Sequence, residues 1–260
     1  MNSGLNIIVC IKAVLKEAPE GPLVRSSETC VLNAYDIPAL EAAFKLRESH
    51  GGSVAVITLG PETCEFVIRE ALAMGADRGY LVCDSALAGS DTLATSKALG
   101  AAVGRLAPFD LVLLGTRSSD SDTGHVGPQT AELLGLPLVT GVYGIEKKGK
   151  TLTVDRKADG FVERYELDMP SVLTVHPSSD RPGYLGLKDI EKAYGERQII
   201  RWSLRDIGLA PEQVGQKGSP TKVLSLSRIK RERRCKFLEG TEEEQADKLV
   251  DLLVEWGMEW

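Results

Sequence analysis

Four apolar runs, Asn6–Ile11, Ser53–Leu59, Gly79–Val82 and Asp110–Leu114, punctuate the first half of the chain, with helical patterns between them. Short apolar runs without strict polar alternation suit strands covered on both faces, and their alternation with helices predicts parallel strands joined by right-handed crossovers. The helices are expected over Ile37–Ser49, Glu62–Met74 and Asp91–Leu106, the first closed by His50-Gly51-Gly52 and the second by Gly75. Glycine at such ends accepts the left-handed backbone that terminates a helix. The fold expected is α/β, an open, doubly wound, mostly parallel sheet.

Beyond Val142 the pattern changes. Two alternating runs within Tyr143–Arg156 surround Lys147–Lys150, which is a hairpin pattern, and Val162–Leu167 and Ser171–Val175 flank Asp168-Met169-Pro170 as a second pair. Antiparallel strands are therefore expected to extend the sheet at one edge. His176 to Leu226 is rich in Gly, Pro and polar residues with little periodicity, and is not expected to form a core of its own. At the end, Thr241-Glu-Glu-Glu244 is a capping box, followed by Leu249, Leu252, Leu253 and Trp256 at helical spacing. A helix with such a stripe, reached through a long arm, is expected to dock on something. The division expected is an α/β domain with its extension over residues 1–226 and an arm with a terminal helix over 227–260.

Charge and cysteine usage narrow the partners. The 260 residues carry a net charge of −6, so a nucleic-acid surface is not the main business. The basic run Arg228–Arg234 reads as a solvated arm or a partner-facing patch. Cys10, Cys30, Cys64, Cys83 and Cys235 form no CxxC pair and no cluster with histidine, so no metal site and no disulfide framework is expected. Neither a secretory leader nor a membrane-spanning run is visible, so the reading is a soluble, cytoplasmic protein without membrane insertion.

The candidate chemistry lies where strands give way to helices. In open α/β sheets ligands bind beyond the carboxyl ends of the strands. Here those ends are small or polar: Cys10 to Lys12, Thr58-Leu59-Gly60-Pro61, Cys83-Asp84-Ser85 and Gly115-Thr116. After Gly115 the loop Ser118 to Gly124 is entirely small or acidic before a helix begins. Free N–H groups and the dipole at such a helix start favour an anion, for example a nucleotide phosphate held by Ser121, Asp122, Thr123, Gly124, His125 and Val126. The same segment also fits an ordinary strand-to-helix turn capped by Asp122 or Thr123. It matches neither a P-loop nor a dinucleotide glycine fingerprint. Asp36 reads as an N-cap or a ligand; Asn33 reads as an adenine contact or a turn closure. Likewise Ser90 or Asp91 caps a helix, while Thr92 and Thr95 are placed to hold a phosphate or ribose. His50, His125 and His176 lie in separate segments, and no paired carboxylates or nucleophile elbow appear, so no catalytic residue is assigned.

Taken in order, Val9-Cys-Ile-Lys12, Asn33-Ala-Tyr-Asp36, Leu59-Gly-Pro61, Arg69-Glu-Ala-Leu-Ala-Met-Gly-Ala-Asp77, Gly89-Ser-Asp-Thr-Leu-Ala-Thr-Ser96, Asp120-Ser-Asp-Thr-Gly-His-Val-Gly-Pro-Gln129 and Val154-Asp-Arg-Lys-Ala-Asp-Gly160 resemble the beta subunit of electron transfer flavoprotein. The likeness runs from Leu5 to Trp256. Phe161 and Tyr165 depart from the usual pattern, as do Val14-Leu-Lys-Glu17, Ala34 and Ser118-Ser119. The resemblance implies a Rossmann-like fold of the adenine nucleotide alpha hydrolase kind. It also implies a heterodimer with an alpha subunit, and electron traffic between a flavin dehydrogenase of the acyl-CoA type and NADH or another acceptor. Ordinary members hold AMP as a structural ligand in the beta site; electron-bifurcating members hold a second FAD there. Asp122–Pro128 and Ser90–Ser96 are similar to the bifurcating type, which implies FAD, with AMP as the alternative. The site residues carried over are Cys10, Asn33, Asp36, Leu59, Gly60, Asp91, Thr92, Thr95 and Ser121 to Val126, and Leu185 and Leu187 resemble the dehydrogenase-recognition segment. A flavin carrier would do its redox chemistry on the cofactor; a subunit that only docks around AMP, or a nucleotide sensor of similar fold, would not.

Overall fold

The computed structural model describes residues 4–17, 25–179, 183, 185–222 and 235–257. The basic run Arg228–Arg234 and Tyr184 lie outside the described residues. Contacts divide the chain into two compact units, Met1–Lys222 and Val223–Trp260.

The first unit opens with β1 (Leu5–Cys10), a short antiparallel pair β2 (Ala13–Leu15) and β3 (Cys30–Leu32), then α1 (Ile37–His50), β4 (Gly52–Leu59), α2 (Glu65–Met74) and β5 (Arg78–Val82). It continues through α3 (Thr92–Arg105), β6 (Leu111–Gly115), α4 (Val126–Leu134), β7 (Leu138–Lys148), β8 (Thr151–Ala158), β9 (Phe161–Asp168) and β10 (Ser171–Val175). It ends with α5 (Leu187–Gly195), β11 (Ile199–Trp202) and the short α6 (Gly215–Gly218). Nine strands form one sheet in the order β11-β5-β4-β1-β6-β10-β7-β8-β9. All neighbours from β11 to β7 are parallel; β8 and β9 add antiparallel strands. The doubly wound α/β fold with an antiparallel edge extension is thus the fold of the protein.

Alternate residues of the strands face opposite layers. Ile7, Val9, Val56, Leu111 and Leu113 pack with Leu40, Val67, Ile68 and Leu72 of α1 and α2. Ile8, Cys10, Ile57, Val112 and Leu114 pack with Ala98, Leu99, Val103 and Ala131 of α3 and α4 on the other face. Each layer excludes water from a whole sheet face, at roughly 1.5–3 kcal/mol per buried aliphatic side chain.

Two expectations need correction. Ser171–Val175 is not an antiparallel partner of Val162–Leu167 at the edge; it is β10, parallel between β6 and β7. Its five residues are all buried, which is the pattern of a strand covered on both faces rather than of an edge hairpin. The stretch after His176 joins the main sheet rather than forming a core of its own: β11 pairs with β5 at the opposite edge, with Trp202 4.7 Å from Tyr80 between ring centroids. The predicted helix from Glu62 begins as a 3-10 turn over Glu62–Cys64, with α2 proper starting at Glu65.

In the second unit, α7 (Glu242–Glu255) is capped as expected: Thr241 Oγ1 accepts from Glu244 N at 3.3 Å and Glu244 Oε2 accepts from Thr241 N at 3.0 Å. Lys248 Nζ donates to Glu239 O at 2.7 Å, so the stretch before the helix folds back along it. Leu249 and Trp256 remain exposed. Among the described residues no helix is long and apolar enough to cross a membrane.

Candidate functional site

The winding of the sheet reverses beside β1. From β1 the chain crosses by α1 to β4 on one side, whereas α3 returns it to β6 on the other. Helices α1 and α4, which leave β1 and β6, lie on opposite faces of the sheet. The loops beyond the carboxyl ends of those two strands therefore part and leave a crevice, the place where such sheets bind ligands.

Side chains tie the two loops together across that crevice. Asn33 is buried; its Nδ2 donates to Asp36 Oδ1 and to Arg117 O, each at 2.9 Å, and its Oδ1 accepts from Ser119 N at 3.3 Å. Asp36 stands at the N-cap position of α1 without capping it. Its carboxylate accepts instead from Lys12 N at 2.8 Å, from Asn33 and from the Gly115 N–H. Burial pushes the Asp36 pKa up to about 7, against the lowering effect of these donors and the Lys12 charge. The neighbouring Cys10 thiol is also pushed up, by burial and then by Asp36. Gly115 is needed for this approach, since a Cβ there would lie 2.5 Å from both Asp36 Oδ1 and Tyr35 O.

Lys12 Nζ contacts Asp120 Oδ1 at 2.6 Å, Ser118 Oγ at 3.0 Å and Ser121 Oγ at 3.4 Å. Arg25 reaches the other Asp120 oxygen at 3.3 Å. Burial alone would raise the Asp120 pKa, but Lys12, Ser118 and Arg25 bring it below the usual carboxylate range. Arg117 stacks over the Tyr35 ring at 4.8 Å and meets Asp122 Oδ1 at 3.2 Å. Lys12 and Arg25 are thus paired with Asp120, and Arg117 with Asp122, where the β1 and β6 loops meet.

The loop then delivers α4. Its N-cap is His125, not Asp122 or Thr123, and no side chain caps it. Asp122 has φ 54° and its N–H closes a turn onto Ser118 O at 2.8 Å, which takes its side chain away from the helix start. Among the described residues, no acceptor meets the backbone N–H of Thr123, Gly124, His125, Val126 or Gly127. Gly124 has φ 66°, a conformation that a side chain would strain. An uncapped row of donors at the positive end of a helix is chemistry suited to a phosphate.

The first turn of α3 adjoins this row. Ser96 Oγ donates to Thr92 O at 2.7 Å and lies 3.3 Å from Val126 O. Thr92 and Thr95 are half-buried on that turn. Asp91 is the N-cap of α3: Oδ1 accepts from Ala94 N at 2.9 Å, while Oδ2 accepts from Thr221 N and Oγ1 at 3.0 and 2.8 Å. These donors outweigh burial and lower its pKa. Its carboxylate is thus engaged in joining α3 to the segment before the arm. Leu59 ends β4 and Gly60 follows it, where a Cβ would lie 3.0 Å from Cys64 Sγ. Leu185 and Leu187 stand apart from the crevice at the entrance to α5, Leu187 being 86% exposed. Sequence spacing does not announce Lys12, Arg25 and Asp120, because the two cations meet Asp120 across 108 and 95 residues.

Residues 22–206 match the family model described as electron transfer flavoprotein domain. "Electron transfer flavoprotein subunit beta" of Thermoanaerobacterium thermosaccharolyticum is 39% identical over 255 residues, covering 96% of this chain and 98% of that protein. The chain belongs to the electron transfer flavoprotein beta-subunit family. "Caffeyl-CoA reductase-Etf complex subunit CarD" of Acetobacterium woodii is 39% identical, covering 84% of this chain and 86% of that one. "Acryloyl-CoA reductase electron transfer subunit gamma" of Anaerotignum propionicum is 34% identical, covering 96% and 98%. Membership makes electron transfer the function class, flavin or nucleotide binding the mode, and an alpha subunit the counterpart.

Proposed function

We propose that this chain, paired with an electron transfer flavoprotein alpha subunit in the cytoplasm, holds FAD in the crevice between the β1 and β6 loops and carries electrons to or from an acyl-CoA dehydrogenase. In this reading the carrier serves electron bifurcation with NADH as donor. The observation that carries the placement is the run of N–H groups from Thr123 to Gly127, at the uncapped start of α4, that meet no acceptor among the described residues. Those donors fit the phosphates of an adenine nucleotide, with Thr92 and Thr95 beside them on the first turn of α3. When bound, the flavin supplies the redox chemistry.

The chain's own part is binding and orientation. Asn33 and Asp36 hold the β1 loop against the β6 loop, so that the Ser121–Val126 backbone is presented in one conformation. Cys10, Leu59 and Gly60 form the strand-end floor, and Asp91 secures the first turn of α3. Two relatives, named as subunits of caffeyl-CoA and acryloyl-CoA reductase systems, support an acyl-CoA-type partner. Leu185 and Leu187 are proposed as its contact, an exposed aliphatic pair at the entrance to α5.

A second reading, AMP as a structural ligand, is favoured by the extent to which Asn33, Asp36 and Asp120 are engaged with the protein itself, since a crevice closed by such ties suits a small nucleotide.

Gly124→Leu tests the placement. The strained φ and the added bulk at the centre of the donor row should abolish nucleotide retention while leaving helix content and assembly with alpha intact, read as nucleotide per heterodimer and circular dichroism. Retention at the wild-type ratio would refute it.

A further inference from the structure

We propose that Arg69 is the positioning residue of α5, the element that presents the dehydrogenase-docking side chains; the inference rests on the docking role of Leu185 and Leu187 given above. Arg69 projects from α2, and its Nη1 donates to Ala193 O at 2.6 Å and to Arg197 O at 2.5 Å. Those two carbonyls bracket the end of α5 and the turn into β11, where a helix leaves acceptors without intrahelical partners. A guanidinium there satisfies both and complements the negative end of the helix. It cannot swing away freely, because its Nε and Nη2 bond Glu65 Oε1 at 3.1 and 2.8 Å, and the second Glu65 oxygen is engaged by Arg201 of β11.

Besides Arg69, α5 is held by its packing on α2 and by Arg197 just beyond it, whose Nη1 donates to Leu72 O at 3.4 Å. Ala193 is its one buried residue, with Ile190 partly packed on the core, while Leu187 and Tyr194, seven positions apart on one helix face, are 86% and 61% exposed. The Arg69 guanidinium also lies 5.9 Å from the Tyr194 ring. A nine-residue helix is marginal without tertiary support. The Glu65–Arg69–Arg201 network ties that helix to α2 and to the sheet edge, so the direction in which Leu187 and Tyr194 face depends on Arg69.

The test uses the full-length chain assembled with its alpha subunit. In Arg69→Met, amide exchange across residues 188–197 should accelerate about tenfold or more while sheet peptides and nucleotide content stay as in the wild type. With a butyryl-CoA-oxidising dehydrogenase as electron donor, KM for the flavoprotein should rise about tenfold with kcat within twofold. Arg69→Lys, which keeps the charge but can reach one carbonyl, should fall between, and it carries the test if the Met variant fails to fold. Unchanged exchange over 188–197, or faster exchange with unchanged KM, overturns the proposal. Failure of the underlying reading looks different: the wild-type complex would not accept electrons from this dehydrogenase, or Leu187→Ala would leave KM unaltered.

Discussion

Asp36→Ala should be among the most damaging single substitutions in the chain, costing about 3 kcal/mol or more of stability and emptying the crevice of nucleotide. The buried carboxylate receives Lys12 N, Asn33 Nδ2 and the Gly115 N–H, and alanine would strand all three donors away from water. Each stranded donor costs about 1–3 kcal/mol. The loss of Asn33's orientation then releases its bonds to Arg117 O and Ser119 N, so the β6 loop loses the tie that presents its backbone. Denaturant unfolding of wild type and variant gives the first number, and nucleotide content after gel filtration the second.

The same carboxyl dictates a pH dependence. Its pKa is raised to about 7 by burial, whereas an unfolded chain returns it to its ordinary value of 3.8. Between those values the folded state binds the extra proton, so this group's contribution to stability is fully present at low pH and is lost as pH rises towards 7. Its slope is at most ~1.4 kcal/mol per pH unit within the window. Comparing the stability profiles of wild type and Asp36→Asn from pH 4 to pH 8 should show this negative slope in the wild type and its absence in the variant.

Truncation after Gly240 should leave the nucleotide-binding unit folded and loaded, yet cut electron transfer through the heterodimer by about tenfold or more. Helix α7 and the stretch folded along it belong to the smaller unit, and the larger unit has its own two-layered core. Leu249 and Trp256 of the stripe are exposed while Leu252 and Leu253 are half-buried, and exposed apolar surface of this kind marks a docking element. The partner expected in this prediction is the alpha subunit. Stopped-flow flavin reduction of the truncated heterodimer reads the loss, and a truncated chain that unfolds by itself would show that the helix serves the beta core instead.

Much of this architecture was legible in the sequence. Strands β1, β4, β5 and β6 declare themselves as apolar runs because both of their faces are covered, and the Gly75 end of α2 follows from its positive φ of 129°. The β10 strand was misread because nearness in sequence across Asp168-Met169-Pro170 suggests a hairpin, whereas β9 turns back to leave β10 beside β6. Ile199–Trp202 is too short and too exposed to signal an edge strand, with Trp202 its one buried residue. In the site, the small polar loop before α4 was visible because its composition itself carries the signal. The Lys12–Asp120–Arg25 network was not, since its members meet only once β1 and β6 lie side by side.

The central claim is that the crevice between the β1 and β6 loops holds a flavin nucleotide of its own. Denaturing the intact heterodimer and identifying the released nucleotides by mass, with flavin counted against protein, tests it most directly. The account predicts two FAD per heterodimer in the wild type and loss of one of them in Gly124→Leu. One FAD with one AMP would assign the crevice to the second reading, and one FAD with no further adenine nucleotide would contradict the account.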